Sequence, residues 1–242
     1  MKFFYPYPEP LTDDKPRHRQ AWETARALAE RCGVTMAVAD RNEFFGEGRN
    51  LEVLVWPRFI RLGPVKISLQ KRFMERCASY LANLPDDVIV YARHLRLADF
   101  LLSKRPRQKV IFEVHEFFSD NEELALEKSA LLQKMEGRVF LKSAGLVCIT
   151  QGLVDALKER YLKLPPMVVI PDGCSLNAMS SNGQTDADLI YAGSLHPWKG
   201  VETLVQAMVF LPDRKLKVRL GSPSPIPEAA GNALRQIARR LL

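Results

Sequence analysis

Short apolar strands alternate with helical patterns along the whole chain, and that alternation leaves few folds open. "KFFYPY" reads as a first strand and "RQAWETARALAERCG" as a helix closed by Gly33 in the C′ position. "VTMAVA" and "LEVLVWP" are the next two strands, and "ISLQKRFMERCASYLANL" is a helix. "DVIVYA", helical "LADFLLSKR" and "KVIFEVH" follow. Ser119 and Glu122 form a capping box for the long helix "NEELALEKSALLQKMEGRVFLKSA", and "GLVCIT" with "QGLVDALKERYL" repeats the strand–helix theme. The pattern predicts an α/β protein with a parallel sheet and helices on both faces.

A boundary is expected near "LKLPPMVVIPDGCSLNAMSSNGQTDAD", which holds a Pro-Pro pair, Asp172-Gly173 and a polar run without periodicity. This gives a first domain over 1–165, a linker over 166–185 and a second α/β domain from 186. The second domain offers strand "ADLIYAGSL", helix "GVETLVQAMVFL", strand "KLKVRLG" and a last helical stretch. A complete doubly wound sheet has about five or six strands, so this domain reads as cut short.

The mouth of that strand–helix unit carries the clearest chemistry. Gly193 and Ser194 end the strand, and Lys199 precedes a helix that begins near Gly200. Ligands of open parallel sheets bind beyond the carboxyl ends of the strands. A glycine lets a ligand reach the backbone, a helix N-terminus offers N–H groups, and a lysine adds a full charge. The set describes a diphosphate cradle or, equally, a solvated lysine on an ordinary loop.

Composition bounds the partners. A net charge of +7 and a pI near 9.3 point to an anion: nucleic acid, a phosphorylated small molecule or an acidic lipid surface. Arg58, Arg61, Lys66, Lys71, Arg72 and Arg76 crowd one segment beside Trp56, opposed there only by Glu75. Apolar positions 67, 69, 73, 74, 77, 80 and 81 fall mainly on one helical face. That face either packs on the sheet or, with the charges and Trp56, docks on acidic membrane. No run is long enough to span a bilayer, and the N-terminus is not a signal peptide, so a cytoplasmic protein is expected, with peripheral attachment to the inner membrane face as an option. The four cysteines are scattered, which predicts reduced thiols and no zinc site.

Several stretches together resemble retaining GT-B glycosyltransferases of family 4. "YAGSLHPWKGVETLVQAMVFLPDRKLKVRLGS" is similar to the start of their donor domain. "VIVYARHLRLADFLL", "VIFEVHEFF", "AGLVCITQGLVDALKERY" and "VVIPDGCSLNAM" match acceptor-domain and linker segments in the expected order. The resemblance covers roughly residues 85–222. It implies two Rossmann-like domains, an acceptor domain first and a donor domain second. It further implies transfer of a sugar from a nucleotide diphosphate to a hydroxyl acceptor, lipid-linked or polysaccharide, with retention and without a metal or other cofactor. Lys199, with Gly193, Ser194 and Gly200, would hold the diphosphate; Gly221 and Ser222 would shape the nucleotide pocket; His115 would face the reacting sugar.

Two departures stand out. The loop "YPYPEPLTDDKPRHRQ" lacks the family's glycine, so Asp13, Arg17 and His18, with Arg93, become acceptor-side candidates. The paired-glutamate element that binds donor sugar and ribose would lie beyond Leu242, so the chain reads as C-terminally truncated. Three rivals remain. A nicotinamide-dependent Rossmann enzyme lacks its G-x-G-x-x-G turn, and a nucleic-acid binder lacks any recognisable module. A catalytically inactive glycosyltransferase-like fragment is the third.

Overall fold

In the computed structural model, residues 1–12, 15–40, 42–44, 50–57, 59–62, 65–68, 70–120, 125–173, 187–193 and 199–220 are described, with backbone only at 59–62, 65–68, 219 and 220. The chain divides into two compact units, Met1–Gly173 and Cys174–Leu242.

The first unit is built on a seven-stranded, wholly parallel sheet. Its strands are β1 (Lys2–Tyr7), β2 (Gly33–Ala39), β3 (Leu51–Trp56), β6 (Ile89–Ala92), β7 (Val110–Val114), β8 (Gly145–Cys148) and β9 (Met167–Val169). The order is β3-β2-β1-β6-β7-β8-β9. Between β3 and β6 come an antiparallel hairpin, β4 (Phe59–Leu62) and β5 (Val65–Ser68), and helix α2 (Gln70–Ala82).

Strands buried on both faces read as nearly continuous apolar runs, which is why "KFFYPY" and "VIVYA" carry so little polarity. On one face Phe4, Val90, Ala92, Phe112, Val114 and Leu146 pack with Phe73, Cys77 and Leu81 of α2. The same layer takes in α3 (Leu95–Lys104), α4 (Leu126–Lys142) and α5 (Gln151–Arg160), through residues such as Leu101, Phe140 and Leu157. On the other face Phe3, Tyr5 and Tyr7 meet Ala21, Trp22 and Ala25 of α1 (Pro16–Ala29).

The structure departs from the sequence reading at five places, the first being the unpredicted antiparallel hairpin β4–β5. Gly33 opens β2 and is not a left-handed helix cap; the end of α1 is closed by the Arg31 and Cys32 N–H groups, both bonded to the Leu28 carbonyl. Residues 67 and 68 belong to a strand, so the helix read from Ile67 starts at Gln70. The long helix starts at Leu126, where Ala125 gives no side-chain cap, and Ser119 is engaged elsewhere; Glu122 lies outside the described residues. Finally, β9 lies within the stretch read as linker and completes the first sheet.

The second unit contains a parallel pair, β10 (Leu189–Gly193) and β11 (Leu216–Leu220), joined through α6 (Val201–Ala207) and a 3-10 turn at Met208–Phe210. No helix among the described residues is long and apolar enough to cross a membrane.

Candidate functional site

The strand order of the first sheet reverses between β1 and β6, each of which pairs with the other and winds away in the opposite direction. In such sheets the crevice at the carboxyl ends, beside the reversal, is where ligands bind. Three segments meet that description: Pro8–Thr12 after β1, Arg93 and His94 after β6, and His115–Asp120 after β7.

The first segment is held without glycine. Pro8 and Pro10 fix φ, while the Glu9 carbonyl accepts from Ala39 N–H at 3.2 Å and the Leu11 carbonyl from Glu43 N–H at 2.8 Å. His18, from the first turn of α1, is fully buried beneath this loop. Its Nδ1 accepts from the Thr12 N–H (3.2 Å) and lies 2.7 Å from the Thr12 hydroxyl. That leaves Nε2 as the protonated nitrogen, donating to Glu9 at 3.1 Å. His18 is therefore a pin that sets the path of the loop, with neither nitrogen offered to a ligand. Arg17 sits on the rim, more than half exposed, paired with Glu9 at 2.8 Å. Burial pushes the Glu9 carboxyl up, but the His18 hydrogen bond and the Arg17 charge outweigh it and hold it below its ordinary range. Burial lifts the neighbouring Tyr7 phenol to about 12. Asp13 lies outside the described residues.

A second group gathers on the α1 side of the sheet. Strand alternation sends Tyr5, Tyr91, Arg93 and Glu113 toward one face. Arg93 Nη2 donates to the Gln20 amide oxygen at 2.7 Å, and Gln20 Nε2 donates in turn to Asp172, just past β9. Glu113 Oε1 lies 2.5 Å from His115 Nε2. The Tyr5 hydroxyl, Arg93 Nη1 and Glu113 Oε2 are buried and meet no hydrogen-bond geometry among the described residues. Burial drives the Glu113 carboxyl upward, yet the His115 hydrogen bond and the Arg93 charge prevail and its pKa is lowered. Burial likewise raises the Tyr5 phenol.

The segment after β7 is braced from two helices. Glu136 of α4, fully buried, accepts from the Ser119 N–H (3.1 Å) and hydroxyl (2.6 Å). Ser129 Oγ donates to the Ser119 carbonyl at 2.7 Å. Arg160, in the last turn of α5, forks onto Asp120 at 2.9 and 2.6 Å and lies over the Phe117 ring at 3.9 Å. His115 sits at the start of this braced segment with 22% of its side chain exposed.

In the second unit β10 and β11 pair in register from Leu189↔Leu216 to Gly193↔Leu220. A Cβ on Gly193 would come within 2.9 Å of the Tyr191 hydroxyl, so the close approach there is made by the strand's own tyrosine. Lys199 is exposed, and Gly200 caps α6 in the left-handed region at φ 68°. α6 runs for 7 residues before tightening into its 3-10 turn. Ser194, Gly221 and Ser222 lie outside the described residues.

Of the basic segment, Trp56 packs edge-on against Phe73 (5.7 Å) and Tyr80 (6.0 Å) with Arg76 over its ring. Lys71 and Arg72 are exposed on α2, Lys71 facing Glu75 at 3.9 Å. Arg61 and Lys66 are backbone partners in the hairpin; their side chains, and Arg58, lie outside the described residues.

This architecture is the GT-B type of the glycosyltransferases, an α/β fold of Rossmann-like units. Among solved structures, sucrose-phosphate synthase from Thermosynechococcus elongatus is similar over 100% of this chain and 68% of its own, with a TM-score of 0.67 and 14% identity. Anabaena Alr3699/HepE in complex with UDP-glucose matches over 100% of this chain and 66% of its own, with a TM-score of 0.65 and 13% identity. A trehalose-6-phosphate structure from E. coli bound with UDP-2-fluoro glucose matches over 100% and 70%, with a TM-score of 0.60 and 13% identity. The chain thus spans about two thirds of the length of these structures. No family model matches it, and no curated protein is similar to it by sequence.

Proposed function

We propose that the protein is a glycosyltransferase of the retaining family 4 type, moving a sugar from a nucleotide-diphosphate donor to a hydroxyl acceptor. The observation that carries this reading is the likeness of the entire chain to GT-B structures, two of which hold UDP-glucose or its fluoro analogue. The first unit serves the acceptor through the switch-point crevice, where His115 faces the reacting sugar and Arg93 and Arg17 stand nearby. The second serves the donor. Lys199 and neighbouring N–H groups meet the diphosphate, where negative charge develops as the sugar leaves. Gly193, Ser194 and Gly200 form the turn beneath it, and Gly221 and Ser222 line the nucleotide pocket.

The exposed Lys71 and Arg72 supply charge for docking on acidic membrane near lipid-linked acceptors, and the same role is proposed for Arg58, Arg61 and Lys66 from the sequence alone. Failure to co-sediment with acidic liposomes at low salt would remove that part. The enzymatic reading is tested by a thermal-shift panel of UDP, GDP, ADP and their sugars, with NAD as control. Stabilisation by one nucleoside diphosphate and its sugar is expected; no response to any of them overturns the donor assignment.

A further inference from the structure

We infer that Glu113 is a positioning residue that fixes His115 as the Nε2–H tautomer and leaves Nδ1 as the ring's one acceptor for a ligand hydroxyl. The inference rests on the transferase reading for the identity of that ligand, a sugar, but its geometry stands alone. Glu113 lies in β7 and His115 is the first residue beyond it, and their side chains meet. Glu113 Oε1 and His115 Nε2 lie 2.5 Å apart, within hydrogen-bond reach of each other. An ionised carboxylate can only accept, so the proton of that bond belongs to Nε2. Glu113 is 5% exposed. Burial pushes its carboxyl up, but the His115 hydrogen bond and the Arg93 charge outweigh it and hold it below the ordinary range, so it accepts as a carboxylate. Arg93 is itself oriented by Gln20, which Asp172 holds.

The other ring nitrogen has no partner among the described residues, and the ring is partly open to solvent. A singly protonated imidazole that carries its proton on Nε2 presents a lone pair at Nδ1. That lone pair accepts from a hydroxyl and offers nothing to a phosphate oxygen. The dyad therefore reads a sugar hydroxyl, and the diphosphate must be met by other residues.

The test is a two-bond ¹H–¹⁵N spectrum of the histidine rings in the full chain, with His115 assigned through His115→Asn. The wild-type protein should show Nε2 protonated and Nδ1 bare. Glu113→Gln, nearly isosteric, and Glu113→Asp, which keeps the charge opposite Arg93 but withdraws it by one methylene, should each give a mixture of tautomers. A wild-type His115 protonated at Nδ1, or at both nitrogens near neutral pH, overturns the inference without any variant. So does a folded Glu113 variant that keeps a pure Nε2–H ring. The spectra need no nucleotide sugar, so failure here and failure to bind a donor are separate results.

Discussion

Ser119 gives both its backbone N–H and its hydroxyl to the carboxylate of Glu136, a side chain with no solvent exposure. The pair ties the segment that follows β7 to the middle of α4, four residues after His115. Removing the acceptor leaves two buried donors unsatisfied. Glu136→Ala should therefore lower stability by about 3 kcal/mol, and Glu136→Gln, which can still accept one bond, by about 1 to 2 kcal/mol. Urea denaturation of the two variants checks this. Equal, negligible losses would mean that the segment is held chiefly by Arg160.

Arg160 clamps the same segment from α5, through Asp120 and the Phe117 ring. The charges are partly exposed, so their share is small, and the ring contact adds about 0.5 to 1 kcal/mol. Arg160→Lys should lose the fork and most of the stacking. Faster amide exchange over residues 116–120, with β7 itself unchanged, is the expected result.

Acid should weaken the first unit in a specific window. Glu113 and Glu9 are both held below the ordinary carboxylate range. A carboxylate depressed in the folded state contributes stability above its unfolded pKa and loses it as pH falls through the folded value. Denaturant midpoints should hold steady near neutrality and fall below a pH of about 4. Glu113→Gln should start less stable and fall less steeply. An unchanged slope would remove Glu113 as a contributor.

At the mouth of the second unit, Lys199→Ala should leave the fold intact, because the side chain is exposed. A ligand at a hundred times its Kd stabilises a protein by about 2.7 kcal/mol, and that gain should vanish in the variant for whichever nucleoside diphosphate stabilises the wild type. Retention of the full shift would assign the diphosphate to other groups.

Gly200 caps α6 at φ 68°, where a side chain strains the backbone. Gly200→Ala should cost about 1 kcal/mol, and Gly200→Asn less. Wild-type stability in the alanine variant would mean that the turn can relax.

Much of the first sheet could be read from the sequence, since each central strand is an apolar run between helical patterns. The hairpin β4–β5 was missed, although Gly63-Pro64 between two short apolar runs is a turn signal. The apolar stripe extended back to Ile67 absorbed half of it. Glu113 carries no sequence signal as a partner of His115; it ends up there because His115, the first residue past β7, turns its ring back onto the strand's carboxylate. His18 looked like a ligand-facing residue because nothing local to it signals burial; Thr12 and Glu9 capture it only once the loop has folded back over α1. Glu136 gave no sequence signal at all, being one acid among several on a helix.

The sheet order also bears on how the chain is made. β1 leaves the ribosome before the other strands of its sheet, yet it ends in the middle, with Phe3 beside Ile89. β2 can cover one of its edges early. The other edge waits for the 86 residues from Phe3 to Ile89, which take about 4 to 17 s to synthesise at common translation rates. Through that interval an apolar strand with bare N–H and C=O groups is open to mispairing. Conditions that slow elongation between β2 and β6 should therefore harm the yield of soluble protein more than the same delay placed after β9.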